Sequence, residues 1–247
     1  YKPDSPYLKY YEYIKEHGYS RHLYEFKDEY TDMPVNVQKD EKKGLYYVQQ
    51  EKKRLYFRKS TPPKKIQKYY KALSMEQDKR SPHHYFDSVK DVTGKVFVDV
   101  GCAEGYSSLE IVEEAKHIYL FEQDEQWLEA IRATFEPWQD KVTIVQKYVS
   151  DHNSSREQTL DDFFNNQTDE HLFLKMDIEG AERHALAGCK NLFQNCQKLD
   201  FAICTYHLRD DEEVISAFLN KHNCTYINQK GFFRHRIRSV VMRGSKK

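Results

Sequence analysis

The chain has 247 residues, with 39 Lys and Arg against 39 Asp and Glu, so its formal net charge is zero. Aromatic residues make up 14% of it, enough large apolar surface to exclude a disordered chain. No apolar run approaches the ~18 residues of a membrane-spanning helix, and a neutral chain lacks the positive footprint of a dedicated nucleic-acid binder.

The sequence changes character near residue 90. Residues 1–90, rich in Tyr, Lys and Glu, read as an N-terminal extension. Residues 91–247 alternate apolar runs with helical patterns and read as a second, ligand-binding domain. In the extension, Ser5 as N-cap, Pro6 at N1 and Gly18 past the end predict a short helix over 5–16. Residues 44–50 and 53–58 predict a hairpin around a charged turn. Pro62 and Pro63 open a predicted helix to about Gln77, with Ile66, Tyr69, Tyr70 and Leu73 on one face. Residues 76–85 are polar and read as a loop.

Five strands are predicted next, over 95–100, 117–122, 142–145, 172–177 and 200–205. Helical patterns separate them. One starts at about Tyr106, with Leu109, Val112 and Ala115 inward; another carries Leu128, Ile131 and Phe135; a third carries Leu186, Cys189 and Phe193. Asp210 and Glu213 form a D-x-x-E capping box for a helix bearing Val214, Phe218 and Leu219. Residues 225–227 and 238–242 close the sheet. Strands alternating with helices imply an α/β fold, a mostly parallel sheet covered on both faces. Such sheets bind ligands at the carboxyl ends of their strands.

Four motifs fall at that edge. Val98-Asp-Val-Gly-Cys-Ala-Glu-Gly-Tyr106 leaves the first strand and enters a helix. Gly101 permits a tight turn, and Gly105 lets a ligand approach the backbone. The spacing is not the Gly-x-Gly-x-x-Gly of nicotinamide enzymes. Asp99 and Glu104 would repel a pyrophosphate but suit a ligand with an ammonium and a sulfonium, as in S-adenosylmethionine. Glu122, about 20 residues on, ends the second strand, where a carboxylate can accept from ribose hydroxyls. Asp177-Ile-Glu-Gly-Ala-Glu182 leaves the fourth strand. There Asp177 and Glu179 can orient a hydroxyl, act as base or hold a divalent cation, and Glu182 suits a helix N-terminus. His207 follows the fifth strand and can take a proton near neutral pH. His83-His84-x-x-Asp87 matches no zinc spacing, and no metal site is expected. Five cysteines with no C-x-x-C pair, and no signal-peptide pattern, point to a reducing, cytoplasmic setting. The sequence begins at Tyr1 rather than Met, so the natural N-terminus is not visible in it.

Together these residues resemble the FkbM-type methyltransferases, an S-adenosylmethionine-dependent family. The resemblance covers roughly 95–210 and rests on five ordered blocks: Asp-Val-Gly-x-x-Glu-Gly-Tyr-Ser at 99–107, Phe-Glu at 121–122, Thr-Leu-Asp-Asp-Phe at 159–163, Lys-Met-Asp-Ile-Glu-Gly-Ala-Glu at 175–182 and Tyr-His at 206–207. Segments 44–48, 53–57 and 76–83 also look like an extension in bacterial members associated with surface-polysaccharide genes. The resemblance implies a class I methyltransferase fold, a Rossmann-like sheet with an antiparallel last strand. It implies O-methylation of a sugar hydroxyl on a glycan acceptor, with S-adenosylmethionine as cofactor. By position, Asp99, Gly101 and Gly105 would lie along the methionine side, and Cys102, Ala103, Glu104, Tyr106, Ser107 and Asp177 would also bind the cofactor. Cys102 stands where Ala is commoner in the family. Glu122 would take the ribose, Ser150 and Asp151 would flank the adenine, and Gln123 and Trp127 would also bind the cofactor. The family has no one agreed base, which leaves His207, Asp177 and Glu179 as candidates. The Tyr-rich extension is expected to form part of the acceptor site or a homodimer contact, or simply to pack on the sheet. Competing readings are methylation of another small molecule or of RNA, nicotinamide-dependent redox chemistry, and cofactor binding without catalysis.

Overall fold

A computed structural model describes residues 4–20, 23–165, 169–233 and 235–246. The N-terminal part holds α1 (Leu8–His17), α2 (Lys27–Thr31), a small antiparallel sheet of β1 (Val37–Asp40), β2 (Leu45–Gln50) and β3 (Lys53–Tyr56), and α3 (Pro63–Glu76). The predicted hairpin and second helix are present; β1, which pairs Val37 with Val48, was not anticipated. The first helix starts three residues later than predicted. Ser5 Oγ accepts the Tyr7 N–H at 3.3 Å, and Gly18, at φ 76°, ends the helix.

The main sheet begins with β4 (Val96–Val100), followed by α4 (Tyr106–Glu110), β5 (His117–Phe121), α5 (Glu125–Phe135) and β6 (Val142–Val145). A short pair, β7 (Tyr148–Val149) and β8 (Glu157–Gln158), and α6 (Leu160–Phe163) lead to β9 (Leu172–Met176). Then come α7 (Glu182–Ala187), α8 (Lys190–Asn195), β10 (Leu199–Cys204), α9 (Asp211–Lys221), β11 (Cys224–Phe233) and β12 (Arg236–Lys246). The seven-stranded order is β11-β12-β10-β9-β4-β5-β6. Its strands pair in parallel from β6 to β10, and β12 runs antiparallel to both neighbours. This is the predicted mostly parallel sheet with an antiparallel last strand.

The two-residue pleat period sorts each strand into two cores. On β4, Phe97 joins Leu109, Ile131 and the hairpin residues Leu55 and Phe57 on one face. Val96, Val98 and Val100 join Leu186, Phe193, Ile215 and Leu219 on the other. Phe97 stacks on Phe173 of β9 with ring centroids 5.4 Å apart. Burying each such ring contributes about 1.5–3 kcal/mol. Because Leu45, Leu55, Phe57, Ile66 and Phe86 sit in the same cluster as Phe97 and Ile118, the change of composition near residue 90 is not a break in packing.

Three local expectations are corrected. The helix from Tyr106 stops at Glu110. The N–H groups of Glu114 and Ala115 both reach the Ile111 carbonyl, so turns carry Val112 and Ala115 into the core. The helix after β9 is two helices, broken at Gly188, where a Cβ would lie 2.0 Å from the Ser150 carbonyl oxygen. The Asp161 carboxylate then accepts from the Asn191 and Leu192 N–H groups of α8. Finally, Asp210 makes no capping bond to α9. Its carboxylate is drawn off by Arg183, and Asp211 instead accepts the Leu208 N–H at 2.6 Å.

Candidate active site

β4 is flanked by β5 on one side and β9 on the other. The chain therefore reverses its order beside β4, which opens a crevice at the carboxyl ends of β4 and β9. The segments at 99–107 and 177–182 converge there. Gly101 has φ 79°, and a Cβ on it would lie 2.2 Å from the Asp177 carbonyl oxygen. Gly105 is required for a different reason from the one expected. It has φ 82°, and a Cβ would meet the Phe135 ring at 2.7 Å, so packing behind the turn excludes a side chain.

A cavity of about 890 Å³ occupies the crevice. Every expected cofactor-side residue except Gly105 lines it, as do Asp177 and Glu179. His207 does not; its side chain is only 4% exposed.

Asp99 is buried and is not a free charge. Lys175 Nζ lies 2.7 Å from its Oδ1, Ser108 Oγ donates to Oδ2 at 2.6 Å, and Lys175 also donates to the Gly101 carbonyl. Burial works against charge on Lys175, but Asp99 and Asp177 outweigh it and hold the ammonium above its ordinary value. The negative charge expected of this strand is thus balanced internally. Glu104 is different. Burial pushes its carboxyl up to about 7, against a 2.8 Å hydrogen bond from Tyr69.

Glu122 Oε2 accepts the Ala103 N–H at 3.0 Å, and Oε1 accepts the Asp124 N–H at 2.8 Å. Burial raises its pKa despite these bonds. The carboxylate therefore braces the glycine turn and keeps further lone pairs for ligand hydroxyls. Beside it, the buried Gln123 Oε1 has no hydrogen-bond partner among the described residues, a vacancy that a polar ligand would fill. Arg58, just past β3, lies 3.9 Å over the Trp127 ring and 3.1 Å from Asp124. Asp151 is held by His152 and His184 at 2.8 and 3.2 Å, beside Ser150.

Asp177, whose backbone abuts Gly101, accepts from Tyr85 Oη at 2.7 Å and from Tyr206 Oη at 3.2 Å. Burial alone would raise its pKa, but Lys175, His207 and the Tyr85 bond hold it below the usual value. His207 Nε2 is 3.5 Å from Asp177 Oδ1 and 3.6 Å from Glu179 Oε2, while Nδ1 is 2.9 Å from Glu182 Oε1. Burial favours the neutral ring, yet Glu182, Asp177 and Glu179 outweigh it and raise the His207 pKa. Glu179, with φ 55° and its side chain 92% exposed, stands at the rim.

Asp177, Glu182 and His207 bring donor atoms within 4.8 Å of one another. The imidazole nitrogens, however, face opposite carboxylates, so their lone pairs do not converge on one point. The His83 and His84 rings also have separate partners, Tyr24 Oη at 2.6 Å and Asp87 at 2.8 Å.

Arg58, Tyr69, Tyr85, Lys175 and Glu182 were not anticipated as site residues. Only Lys175 left a signal, a lone charge inside an apolar strand. The others are brought in from the hairpin, from α3, from the loop after it and from α7 by tertiary packing. The five cysteines are all free thiols, and among the described residues no helix is long and apolar enough to cross a membrane.

Comparison with known proteins gives the arrangement its family. The model of the methyltransferase FkbM domain matches residues 25–227. No protein of curated function matches the sequence. Among solved structures, the chain is similar to the methyltransferase FkbM from Methylobacillus flagellatus, at 18% identity and a TM-score of 0.49 over 61% of this chain. It spans 43% of that protein's length. It is also similar to the Streptococcus mutans methyltransferase-type protein SMU.1697c solved with S-adenosylhomocysteine (14% identity, TM-score 0.47, 64% of this chain and 93% of that one). A third is the N-methyltransferase NodS from Bradyrhizobium japonicum (12%, 0.44, 64% and 89%). With the family model covering the crevice, the parallel strands of the central sheet and most of the N-terminal part, the chain belongs to the FkbM methyltransferase family.

Proposed function

We propose that the protein is an S-adenosylmethionine-dependent O-methyltransferase acting on a sugar hydroxyl, in the assembly of a bacterial surface polysaccharide or another glycan. One observation carries the reading: a single cavity is lined by the glycine turn, Glu122 and Gln123 together with Asp177 and Tyr206. Bound there, S-adenosylmethionine supplies an electrophilic methyl. The acceptor oxygen gains the methyl, sulfur keeps the electron pair of the broken bond, and the hydroxyl proton passes to a base.

The chain's own groups do the rest. Glu122 and the Gln123 carbonyl offer acceptors for ribose and adjacent hydroxyls, and Trp127 with Arg58 forms a flat wall. Tyr69, Tyr85 and Tyr206 give the acceptor side aromatic surface, on which sugar rings pack well. Asp177 faces the cavity and accepts the hydroxyl proton. His207 Nε2 lies behind it and takes the proton on, across a distance that tightens in a loaded site. Holding two reactants in line is the larger contribution; the base adds ~10²–10⁴-fold.

The test is methyl transfer from labelled S-adenosylmethionine to a panel of free, nucleotide-linked and lipid-linked saccharides. Label in a saccharide ether supports the reading. Label in RNA or a non-sugar acceptor alone removes it.

A further inference from the structure

We infer that Glu182 is a positioning residue of the transfer site, fixing the His207 ring with Nδ1 toward α7 and Nε2 toward Asp177. This deepens the proposed function and rests on the reading that His207 serves the acceptor.

Glu182 has no exposed surface, and its Oε2 has no hydrogen-bond partner among the described residues. An ionised carboxylate buried in this way costs several kcal/mol unless a cation or strong donors compensate it. Its Oε1 has two neighbours: the Ile178 N–H at 2.9 Å and His207 Nδ1 at 2.9 Å. The first closes a five-residue loop from 178 to 182, with Gly180 at φ 102° at its bend. Asp177 immediately precedes that loop. The second is an ion-pair contact without hydrogen-bond alignment, since neither ring nitrogen of His207 has a hydrogen-bond partner among the described residues; the imidazole also packs against Tyr206 with ring centroids 4.2 Å apart. One carboxylate thus sets both the loop that bears Asp177 and the ring that faces it.

The direction of the ring follows. A carboxylate accepts only, so the 2.9 Å contact favours the proton on Nδ1 in the neutral ring. Nε2 is then bare and faces Asp177 Oδ1, the side from which a proton arrives. The titratable groups around the ring are Glu182 from α7, Asp177 and Glu179 from the loop after β9, and the Tyr206 hydroxyl. Lys175 and Tyr85 act on Asp177 from behind. Glu182 is the nearest of the charges to the ring.

The experiment is long-range ¹H–¹⁵N NMR of the full chain with ¹⁵N-labelled histidine, saturated with S-adenosylhomocysteine, from pH 5 to 9. Wild type, Glu182→Gln and Glu182→Asp are compared, and His207→Gln assigns the signal. Wild-type His207 is expected as the Nδ1–H tautomer. In Glu182→Gln its midpoint should fall by about one pH unit or more, with partial recovery in Glu182→Asp. A folded Glu182→Gln variant with unchanged tautomer and midpoint overturns the inference. If neither variant folds, an Nε2–H tautomer in wild type overturns it and an Nδ1–H tautomer supports it. Selective broadening of His207 by substoichiometric Mn²⁺ would instead assign the three groups to a cation. The proposed function fails separately, when labelled methyl reaches no saccharide; a transfer rate unchanged in His207→Ala removes only the role of His207, and the inference with it.

Discussion

Asp99 on β4 and Lys175 on β9 occupy the same register position of adjacent parallel strands, and their charges meet 2.7 Å apart beneath the glycine turn. Each is the only charged residue in its five-residue strand. Side-chain exposures of 2% and 6% leave neither charge to water.

Removing one partner strands the other. Asp99→Ala or Lys175→Met should each cost about 3–5 kcal/mol. For a chain of this length that lowers Tm by roughly 6–20 °C. Urea denaturation of the two variants and the double variant checks it, and the double variant should lose less than the sum. Two single losses below about 0.5 kcal/mol would mean the pair is solvated.

Glu104 gives a pH signature. Its folded pKa is raised from 4.5 to about 7 by burial, so the folded state binds the extra proton between those values. Stability from this group is then largest below the unfolded pKa and declines as pH rises through about 7. Relative to Glu104→Gln, the wild-type protein should lose about 2–3 kcal/mol between pH 5 and pH 8. Parallel pH profiles for the two proteins would contradict this.

His207 acts in the opposite sense on stability and on rate. Its folded pKa lies above 6.5, so its contribution to stability is present below 6.5 and is lost as pH rises through the folded value. Proton acceptance needs the neutral ring, so transfer should rise with pH along a limb placed above 6.5. His207→Ala should lower turnover at least ~10-fold, with S-adenosylhomocysteine affinity retained and that limb removed. An unaltered pH–rate profile removes His207 from the reaction.

Gly105→Ala should cost about 2–4 kcal/mol, from left-handed backbone and from overlap with Phe135. Adding Phe135→Leu should return only the overlap part. Full recovery in the double variant would show that the backbone conformation costs nothing.

These residues also show what a sequence reading can reach. The strand–helix alternation was legible because β4, β5, β9 and β10 are apolar runs with clear ends. The glycines of the turn were legible, but the reason for Gly105 was not, since Phe135 lies 30 residues away on α5. Asp99 is legible through the glycine-turn motif and Lys175 only as a charge in an apolar run; their pairing needs the β4–β9 register, which no local pattern contains. Glu182 had an adequate local explanation as the first residue of α7, which masked its contact with His207. Tyr69 and Tyr85 looked like packing or loop residues, because only the docking of the N-terminal part carries them to Glu104 and Asp177.

Cofactor binding in the crevice is measured by calorimetric titration of the cofactor-free protein with S-adenosylmethionine, S-adenosylhomocysteine and NAD, in wild type and Glu122→Gln. Both sulfur ligands should bind, weakened about tenfold in the variant, the equivalent of one charge-assisted hydrogen bond, and NAD should not. Absence of binding by either sulfur ligand, or equal binding by wild type and variant, would contradict this.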